Sequence, residues 1–221
     1  MLPQVILHNA ISLDGRIDGF PVDLGQFYEL VARWKEDATL AGADTILKAA
    51  ESAPAEDEKA FRPPKNDPHD HRPLLVIPDS RGRVRIWHYL KTLPYWRGFI
   101  ALCSHSTPQD YLAYLKERHV DCIAAGEDHV DMRAALEALN HRYGVKVVRA
   151  DCGGTLNAVL LHQKLVNEVS VLVHPSLVGG TGQSTLFRSL DSASPEGAIQ
   201  LRLTYLERLR DDVVWLRYEM R

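Results

Sequence analysis

The sequence predicts an α/β fold built on a mixed, mostly parallel β-sheet, with helices on both faces and a C-terminal antiparallel hairpin. Between residues 74 and 174, buried-strand candidates alternate with amphipathic helical segments, which is the order typical of a parallel sheet. Two strand-like runs, residues 199–209 and 213–218, then flank a turn at Asp211-Asp212. This last pair adds antiparallel strands to the sheet and makes it mixed.

Length and composition favour a single globular domain over residues 1–221. The chain has 221 residues, of which 45% are hydrophobic and 25% charged, enough to build one sizeable core. Its formal charge of −3 gives no basic field for nucleic acid or an anionic membrane, so we expect a small-molecule partner. The three cysteines form no CxxC pair, and no apolar stretch approaches the roughly 18 residues of a membrane span, so we expect a cytoplasmic protein.

The N-terminal part begins with a strand and a polar turn. Residues 4–10 are apolar enough for a buried strand, and residues 12–16 follow as a turn. Apolar residues recur at helical spacing over residues 23–38, and Asp23 is a suitable N-cap. Residues 42–47 are short and strand-like at their end.

Residues 49–72 differ from the rest in composition. They carry many charges, few large apolar groups and four prolines, Pro54, Pro63, Pro64 and Pro68. Such a segment cannot bury enough surface to order itself alone. We expect a flexible loop inserted into the domain.

The remaining elements alternate along the chain. The predicted strands are residues 74–77, 99–103, 122–125, 145–150 and 168–174, and the predicted helices are residues 108–119, 131–143 and 156–163.

The first candidate site is Ser12-Leu13-Asp14-Gly15, where a carboxylate and a hydroxyl follow a buried strand directly. Ligands of α/β sheets bind outside the carboxyl ends of the strands, so this position favours function. The alternative is a turn in which the Asp14 carboxylate binds local backbone amides. Taken alone, the motif leaves both interpretations open.

The second candidate is Gly153-Gly154-Thr155, between a strand and a helix. Paired glycines let backbone amides approach a phosphate at the positive end of the helix, although a tight turn with a helix cap gives the same pattern. Residues 179–182 could form an anion nest or a plain loop. His69-Asp70-His71 lacks a further ligand at suitable spacing, so we expect a solvated loop and no metal site.

Read in order, these motifs resemble one family, the riboflavin-pathway pyrimidine reductases, whose domain is also the C-terminal half of the bifunctional deaminase-reductases. The resemblance runs from Val5 almost to the C-terminus. The matching motifs are Asn9-Ala10-Ile11-Ser12-Leu13-Asp14-Gly15-Arg16-Ile17, residues 41–47, Pro78-Asp79-Ser80, residues 153–157, residues 165–169, Pro175 and Gly179-Gly180.

The resemblance implies a dihydrofolate reductase-like three-layer sandwich, usually a homodimer, that transfers hydride from NADPH to the sugar carbon of a ribosylaminopyrimidine phosphate. The cofactor carries the hydride and the protein supplies position and proton control. The implied cofactor-binding residues are Ala10 near the nicotinamide, Gly42 and Thr45 on the cofactor, Asp151, Gly153, Gly154 and Thr155 around the pyrophosphate, and Ser80 and Arg81 at the 2′-phosphate.

The resemblance also implies roles in the turn after the first strand. Asp14 would orient or protonate the substrate near the reacting carbon, and Ser12 would bind substrate beside it. Arg16 stands where the family has a lysine. The arginine keeps the positive charge but cannot give up a proton as a lysine can.

One departure bears on the substrate. The family commonly has an acidic pair before a proline in the segment that is residues 48–54 here, and the acidic pair is lost. This change favours a second hypothesis, an NADPH-dependent reductase of the same fold acting on another pterin-like or pyrimidine substrate. A third hypothesis, from a different class, is a nucleotide-binding module without catalysis, against which the retained Asp14 counts.

Overall fold

The chain divides into two compact units. The structure, a computed structural model, describes residues 1–50, 53–63, 67, 69–180, 184–188 and 198–221. The first unit comprises Met1–Pro3 and Asp37–Val148, and the second comprises Gln4–Glu36 and Arg149–Arg221. Each unit is described by itself below.

The described residues contain nine strands and six α-helices. The strands are β1 (Gln4–Ser12), β2 (Ala38–Ala41), β3 (Leu74–Pro78), β4 (Gly98–Cys103), β5 (Asp121–Ala124), β6 (Val147–Asp151), β7 (Glu168–His174), β8 (Leu201–Arg208) and β9 (Val214–Met220). The helices are α1 (Leu24–Val31), α2 (Ala43–Ala49), α3 (Trp87–Leu90), α4 (Gln109–Glu117), α5 (Met132–Tyr143) and α6 (Gly154–His162).

The sheet of the first unit is parallel. β2 pairs with β3, β3 with β4, and β4 with β5, each pair in parallel. All four residues of β2 are buried, as expected for strands covered on both faces. The carboxyl ends of the four strands therefore lie at one edge of this sheet.

Helices pack on this sheet around a core that contains Trp87 and Tyr111, both fully buried. The Trp87 indole donates to the Tyr111 hydroxyl at 3.2 Å, and that hydroxyl donates to the Val84 carbonyl at 3.1 Å, so the polar atoms of both rings are satisfied. Helix α5 begins at an N-cap, Asp131, and ends at Gly144 in the left-handed conformation.

Several described residues of the insert predicted at residues 49–72 make specific contacts. The Arg118 guanidinium donates to both carboxylate oxygens of Glu56 at 2.6 Å, a two-pronged ion pair. His88 Nε2 lies 2.8 Å from the Pro54 carbonyl, and His119 Nε2 lies 3.1 Å from the carbonyl of Phe61. These contacts tie residues 54–61 to the helices of the first unit; the flexibility of the insert stays a prediction.

The second unit combines parallel and antiparallel strands. β1 pairs with β7 in parallel, β7 pairs with β9 antiparallel, and β9 pairs with β8 antiparallel. Between β8 and β9 the backbone takes positive φ at Asp211 and Asp212, as the sequence predicted for the turn of a terminal hairpin. The mixed, mostly parallel sheet with a C-terminal antiparallel hairpin is confirmed.

A small apolar cluster covers one face of these strands. Phe27 from α1 packs with Leu172, Val213 and Trp215, all of them buried. Asp23 caps α1, since its carboxylate accepts from the Gln26 amide at 3.0 Å. Helix α1 is thereby held against the face of β1 and β7 that also carries Ala10.

One predicted element was wrong in where it ends and another in its type. The helix expected over residues 23–38 ends at Val31, Lys35 takes a φ of 47°, and Ala38 begins β2. Residues 42–47, read as strand-like, belong to α2, whose N-cap is Gly42. In both places apolar residues continue past the end of one element toward the next, so the helical period at residues 30–34 and the apolar run at residues 46–47 were misleading.

Apart from β7, which has the predicted bounds, the other predicted elements differ from the structure by a few residues at their ends. β6 runs across the boundary at which the two units divide, since Val148 falls in the first and Arg149 in the second. A single domain over residues 1–221 stays a prediction. Of the helices in the described part of the chain, none is long and apolar enough to cross a membrane.

Candidate active site

The turn after β1 is closed by its own backbone. The Ser12 amide donates to the Arg16 carbonyl at 2.8 Å, and the Gly15 amide donates to the Ser12 carbonyl at 2.9 Å. Gly15 has a φ of +79°, and a Cβ added there would meet nothing within 4 Å. Backbone conformation, not crowding, therefore requires glycine at this turn.

The Asp14 carboxylate binds the loop that follows β7. Its Oδ1 accepts from the Ser12 hydroxyl at 2.6 Å and from the Val178 amide at 3.1 Å, and its Oδ2 accepts from the Gly179 amide at 2.8 Å. The hydrogen bond from Ser12, and then those from the Gly179 and Val178 amides, hold the pKa of Asp14 well below its usual range. Asp14 is thus a carboxylate, not a carboxylic acid, at neutral pH.

Arg16 joins the same assembly. Its Nη2 donates to the Gly180 carbonyl at 2.8 Å, its Nε lies 3.6 Å from Asp14 Oδ2, and its backbone amide donates to the Ser12 hydroxyl oxygen at 2.9 Å. The structure therefore brings the predicted residues Ser12, Asp14 and Arg16 together, and we call these three residues with residues 176–180 the Asp14 site. Asp14 therefore binds backbone amides, as the turn interpretation predicted, and it lies just past the carboxyl end of β1; its part in function stays a prediction.

The second predicted constellation lies at the start of α6. Gly153 is the N-cap, with no side chain of the described residues bonded to the cap, and Thr155 in the first turn is exposed. Cys152, just before it, is buried, and its carbonyl accepts from the side-chain amides of Asn9 at 3.0 Å and Asn157 at 3.3 Å. The two asparagines brace the turn, and sequence reasoning missed both.

The two glycines of this turn differ in how closely other atoms surround them. A Cβ on Gly154 would lie 2.1 Å from the Thr185 carbonyl oxygen, and the Arg188 amide donates to the Gly154 carbonyl at 3.1 Å. Packing of residues 184–188 therefore accounts for Gly154. A Cβ on Gly153 would meet only Ile17, at 4.0 Å, so space remains beside the uncapped amides. This half of the motif fits a phosphate at a helix N-terminus.

Asp151 is anchored before this turn. Arg149 is nearly fully buried and pairs with Asp151 at 3.1 Å and with Glu36 at 2.5 Å. A buried guanidinium requires such partners because an unpaired charge in the interior is very costly. The carboxylate of Asp151 is thus fixed at the carboxyl end of β6.

The other predicted cofactor residues belong to the first unit, apart from Ala10 in β1. Gly42 is the N-cap of α2, and Thr45 is exposed in its first turn. Ser80 and Arg81 follow β3 in a turn anchored by Asp79, whose carboxylate accepts from the Val84 amide at 2.8 Å. The Arg81 side chain is exposed, and the Ser80 carbonyl accepts from the Thr107 hydroxyl at 3.0 Å.

Some predicted features fall partly outside the described residues. Thr181 and Gly182 of the glycine-rich segment and Glu51 and Ser52 of the altered segment are among them. Asp70 of the His-Asp-His motif is paired with Arg72 at 2.6 Å. Over the residues that the structure describes, no group of three or more His, Cys, Asp or Glu side chains could hold a metal ion.

Comparisons with known proteins agree on one family. The chain matches the protein-family model described as the RibD C-terminal domain over residues 3–215. It is 29% identical over 222 aligned positions to a 2,5-diamino-6-ribosylamino-4(3H)-pyrimidinone 5′-phosphate reductase of Methanothermobacter thermautotrophicus, covering 97% of both chains. A protein of the same name from Archaeoglobus fulgidus is 28% identical over 84% of this chain and 86% of its own.

The fold is shared with solved structures. A pyrimidine reductase-like protein from Corynebacterium diphtheriae superposes with a TM-score of 0.75 at 16% identity, covering 99% of this chain and 92% of the other. At this identity the likeness establishes the fold alone.

Proposed function

Because the chain belongs to the RibD C-terminal domain family, we propose that it is a reductase of riboflavin biosynthesis that uses NADPH to reduce the ribosyl group of a ribosylaminopyrimidine 5′-phosphate to ribityl. The family match over residues 3–215 is the observation that carries the proposal. The full-length similarity to proteins named as pyrimidinone phosphate reductases supports the same substrate class.

NADPH, when bound, supplies the hydride that reaches C1′ of the ribosyl group. The ring oxygen leaves C1′ and takes a proton, so that one hydride and one proton convert ribosyl to ribityl. We assign the pyrophosphate to Gly153, Gly154 and Thr155, where the uncapped start of α6 favours an anion. Ala10, Gly42, Thr45, Ser80, Arg81 and Asp151 remain our proposed contacts to the rest of the cofactor.

In this proposal Asp14 positions the substrate and does not protonate it. Its low pKa leaves no proton to give at neutral pH, and its two oxygens already hold the Val178 and Gly179 amides. The carboxylate therefore fixes the loop after β7 at the edge of the sheet where ligands of this fold class bind. Ser12 and Arg16 complete that arrangement from the β1 side.

The altered segment at residues 48–54 supports a second candidate, a reductase of the same fold for another pyrimidine or pterin-like substrate. We also propose that the protein is a cytoplasmic homodimer. None of the three cysteines, each of which lies within the described residues, forms a disulfide, which suits a reducing compartment.

The test follows NADPH oxidation by loss of its absorbance when purified protein meets the diamino-pyrimidinone or the amino-uracil form of the ribosylaminopyrimidine phosphate. Turnover with one ribityl product formed per NADPH consumed supports the proposal, and NADH in place of NADPH tests the cofactor preference. Turnover only with a pterin would establish the second candidate. NADPH binding without turnover of any of these compounds would favour a non-catalytic nucleotide-binding module.

Replacement of Asp14 by Asn tests the positioning role. The amide cannot accept from both Val178 and Gly179 as the carboxylate does, so the loop shifts and kcat/KM falls roughly 100-fold, the scale of a small misplacement of reacting groups. NADPH affinity should stay near wild type, and the pH profile of kcat should keep its shape. Asp212→Asn, which neutralises another exposed carboxylate in the second unit, is the control. A profile that loses one of its limbs in Asp14→Asn would show that Asp14 transfers a proton.

A further inference from the structure

His174 ends β7 at the edge where the Asp14 site lies. In the β1–β7 pairing its register partner is Ser12, whose hydroxyl donates to Asp14. Register partners in paired strands present their side chains to the same face of the sheet, and residues two apart in a strand share that face. His174 is therefore on the face that carries Ser12 and Ala10.

The His174 ring is buried with one nitrogen unmatched. The residue is 5% exposed, and within the described residues its Nε2 has no hydrogen-bond partner. A buried polar atom left without a partner costs about 1–3 kcal/mol of stability. Such an atom at the end of a strand is explained when a ligand supplies the missing hydrogen bond.

The surroundings of the ring indicate what it can bind. The Phe20 ring lies 5.2 Å away, centroid to centroid, at 49°. Burial lowers the pKa of His174, and the Asp23 carboxylate opposes this shift only in part. The imidazole is therefore neutral at neutral pH, so it can hydrogen-bond an uncharged polar group beside an aromatic wall and brings no positive charge to pair with a phosphate.

We propose that Nε2 of His174 hydrogen-bonds an uncharged polar group on the pyrimidine ring of the substrate and so helps to determine which ring the enzyme accepts. The inference rests on the proposed function and extends it, because it names a residue for the ring rather than for the cofactor. Its three supports are the register with Ser12, the unmatched buried nitrogen and the aromatic neighbour.

The experiment compares two variants of the full chain. His174→Met fills the space without a hydrogen-bonding group, while His174→Gln carries an amide whose nitrogen or oxygen can reach the same group. For each variant, KM and kcat are measured with the ribosylaminopyrimidine phosphate, the Kd of NADPH by fluorescence, and Tm in the absence of ligands. His141→Met, on the exposed side of α5, is the control for histidine loss.

In His174→Met we expect KM for the pyrimidine to rise roughly 10- to 100-fold, as for loss of one buried hydrogen bond to a ligand. We expect an unchanged Kd for NADPH, and a Tm equal to or above wild type because an unmatched polar atom has gone. His174→Gln should recover most of the KM. A purely structural histidine would instead give a lower Tm in His174→Met with unchanged kinetics.

Three results would overturn the inference. They are wild-type KM in His174→Met, a loss confined to kcat, and no recovery in His174→Gln. A wild-type protein that binds NADPH but reduces no ribosylaminopyrimidine phosphate would instead refute the proposed function, and the inference with it. The two failures are therefore distinguishable, because the first requires an active wild type.

Discussion

Two histidines four register steps apart on β1 and β7 have opposite environments. His8 is fully buried, its Nδ1 lies 2.9 Å from the Ser170 hydroxyl, and its Nε2 lies 3.3 Å from the Phe27 carbonyl. His174 is nearly as buried and lies on the same face, but its Nε2 has no partner within the described part of the chain. The difference teaches that burial does not by itself separate a core histidine from a binding histidine; hydrogen-bond satisfaction does.

His8 and Ser170 are also part of a larger hydrogen-bonded and aromatic network. The Ser170 hydroxyl accepts from the Trp215 indole at 2.8 Å, and the Phe27 ring lies 4.3 Å from the His8 ring. Each group thus stabilises its neighbours, as expected of polar groups retained in a core. At the strand ends, the corresponding residue, His174, has the Phe20 ring 5.2 Å away, centroid to centroid. We therefore expect substitutions to alter stability near His8 and kinetics near His174.

The largest stability effect should come from Ser170→Ala. Alanine leaves both His8 Nδ1 and the Trp215 indole nitrogen without a partner, so the free energy of unfolding should fall by about 2–6 kcal/mol, the sum of two unmatched buried groups. The measurement is urea unfolding, with kcat/KM of the folded fraction expected at the wild-type value. A fall below about 0.5 kcal/mol would show that the core tolerates unmatched polar atoms, and the contrast with His174 would lose its basis.

The free energy of unfolding should depend on pH through His8. Burial, and then the positive charge of Arg149, lower the pKa of His8 from 6.5 to about 3. Between pH 6.5 and 3 the unfolded chain therefore binds a proton at His8 that the folded protein does not bind. The stabilisation that comes from a neutral, buried His8 is fully present above pH 6.5 and is lost as pH falls toward 3. The slope reaches at most about 1.4 kcal/mol per pH unit.

His8→Gln removes this titration and keeps a polar group at the position. Its free energy of unfolding should fall less steeply than that of wild type as the pH is lowered from 6.5 toward 3. The measurement is urea unfolding at a series of pH values. Parallel curves for the two proteins would mean that His8 is protonated in the folded state.

The sequence allowed the fold class to be predicted because its signals are local. β7 was predicted with its actual bounds, Glu168–His174, and the terminal hairpin followed from two apolar runs around Asp211-Asp212. The boundary between α1 and β2 was not predictable, because it depends on a positive φ at Lys35, a residue that has no intrinsic preference for it. The four residues of α3 are too few to show a helical period.

The candidate site likewise has a part that the sequence predicts and a part that depends on tertiary packing. Ser12, Asp14 and Arg16 are neighbours in sequence, so their association in one turn could be predicted. The amides of Val178 and Gly179, which add to the Ser12 hydrogen bond in lowering the pKa of Asp14, come from a distant part of the chain. The same holds for Asn9 and Asn157, and for the unmatched nitrogen of His174, since hydrogen-bond satisfaction depends on tertiary packing.

The smallest effects should distinguish the two aromatic neighbours. Phe27 is 5% exposed against His8, so Phe27→Leu loses an aromatic pair within a packed core and should cost about 1–1.5 kcal/mol of unfolding free energy with unchanged kinetics. Phe20 is only half-buried against His174, so Phe20→Leu should cost less than about 0.5 kcal/mol yet raise KM for the pyrimidine roughly 2- to 5-fold. Measured side by side, the two variants separate a ring that supports the core from one that faces substrate; equal KM values would show that Phe20 only covers the histidine.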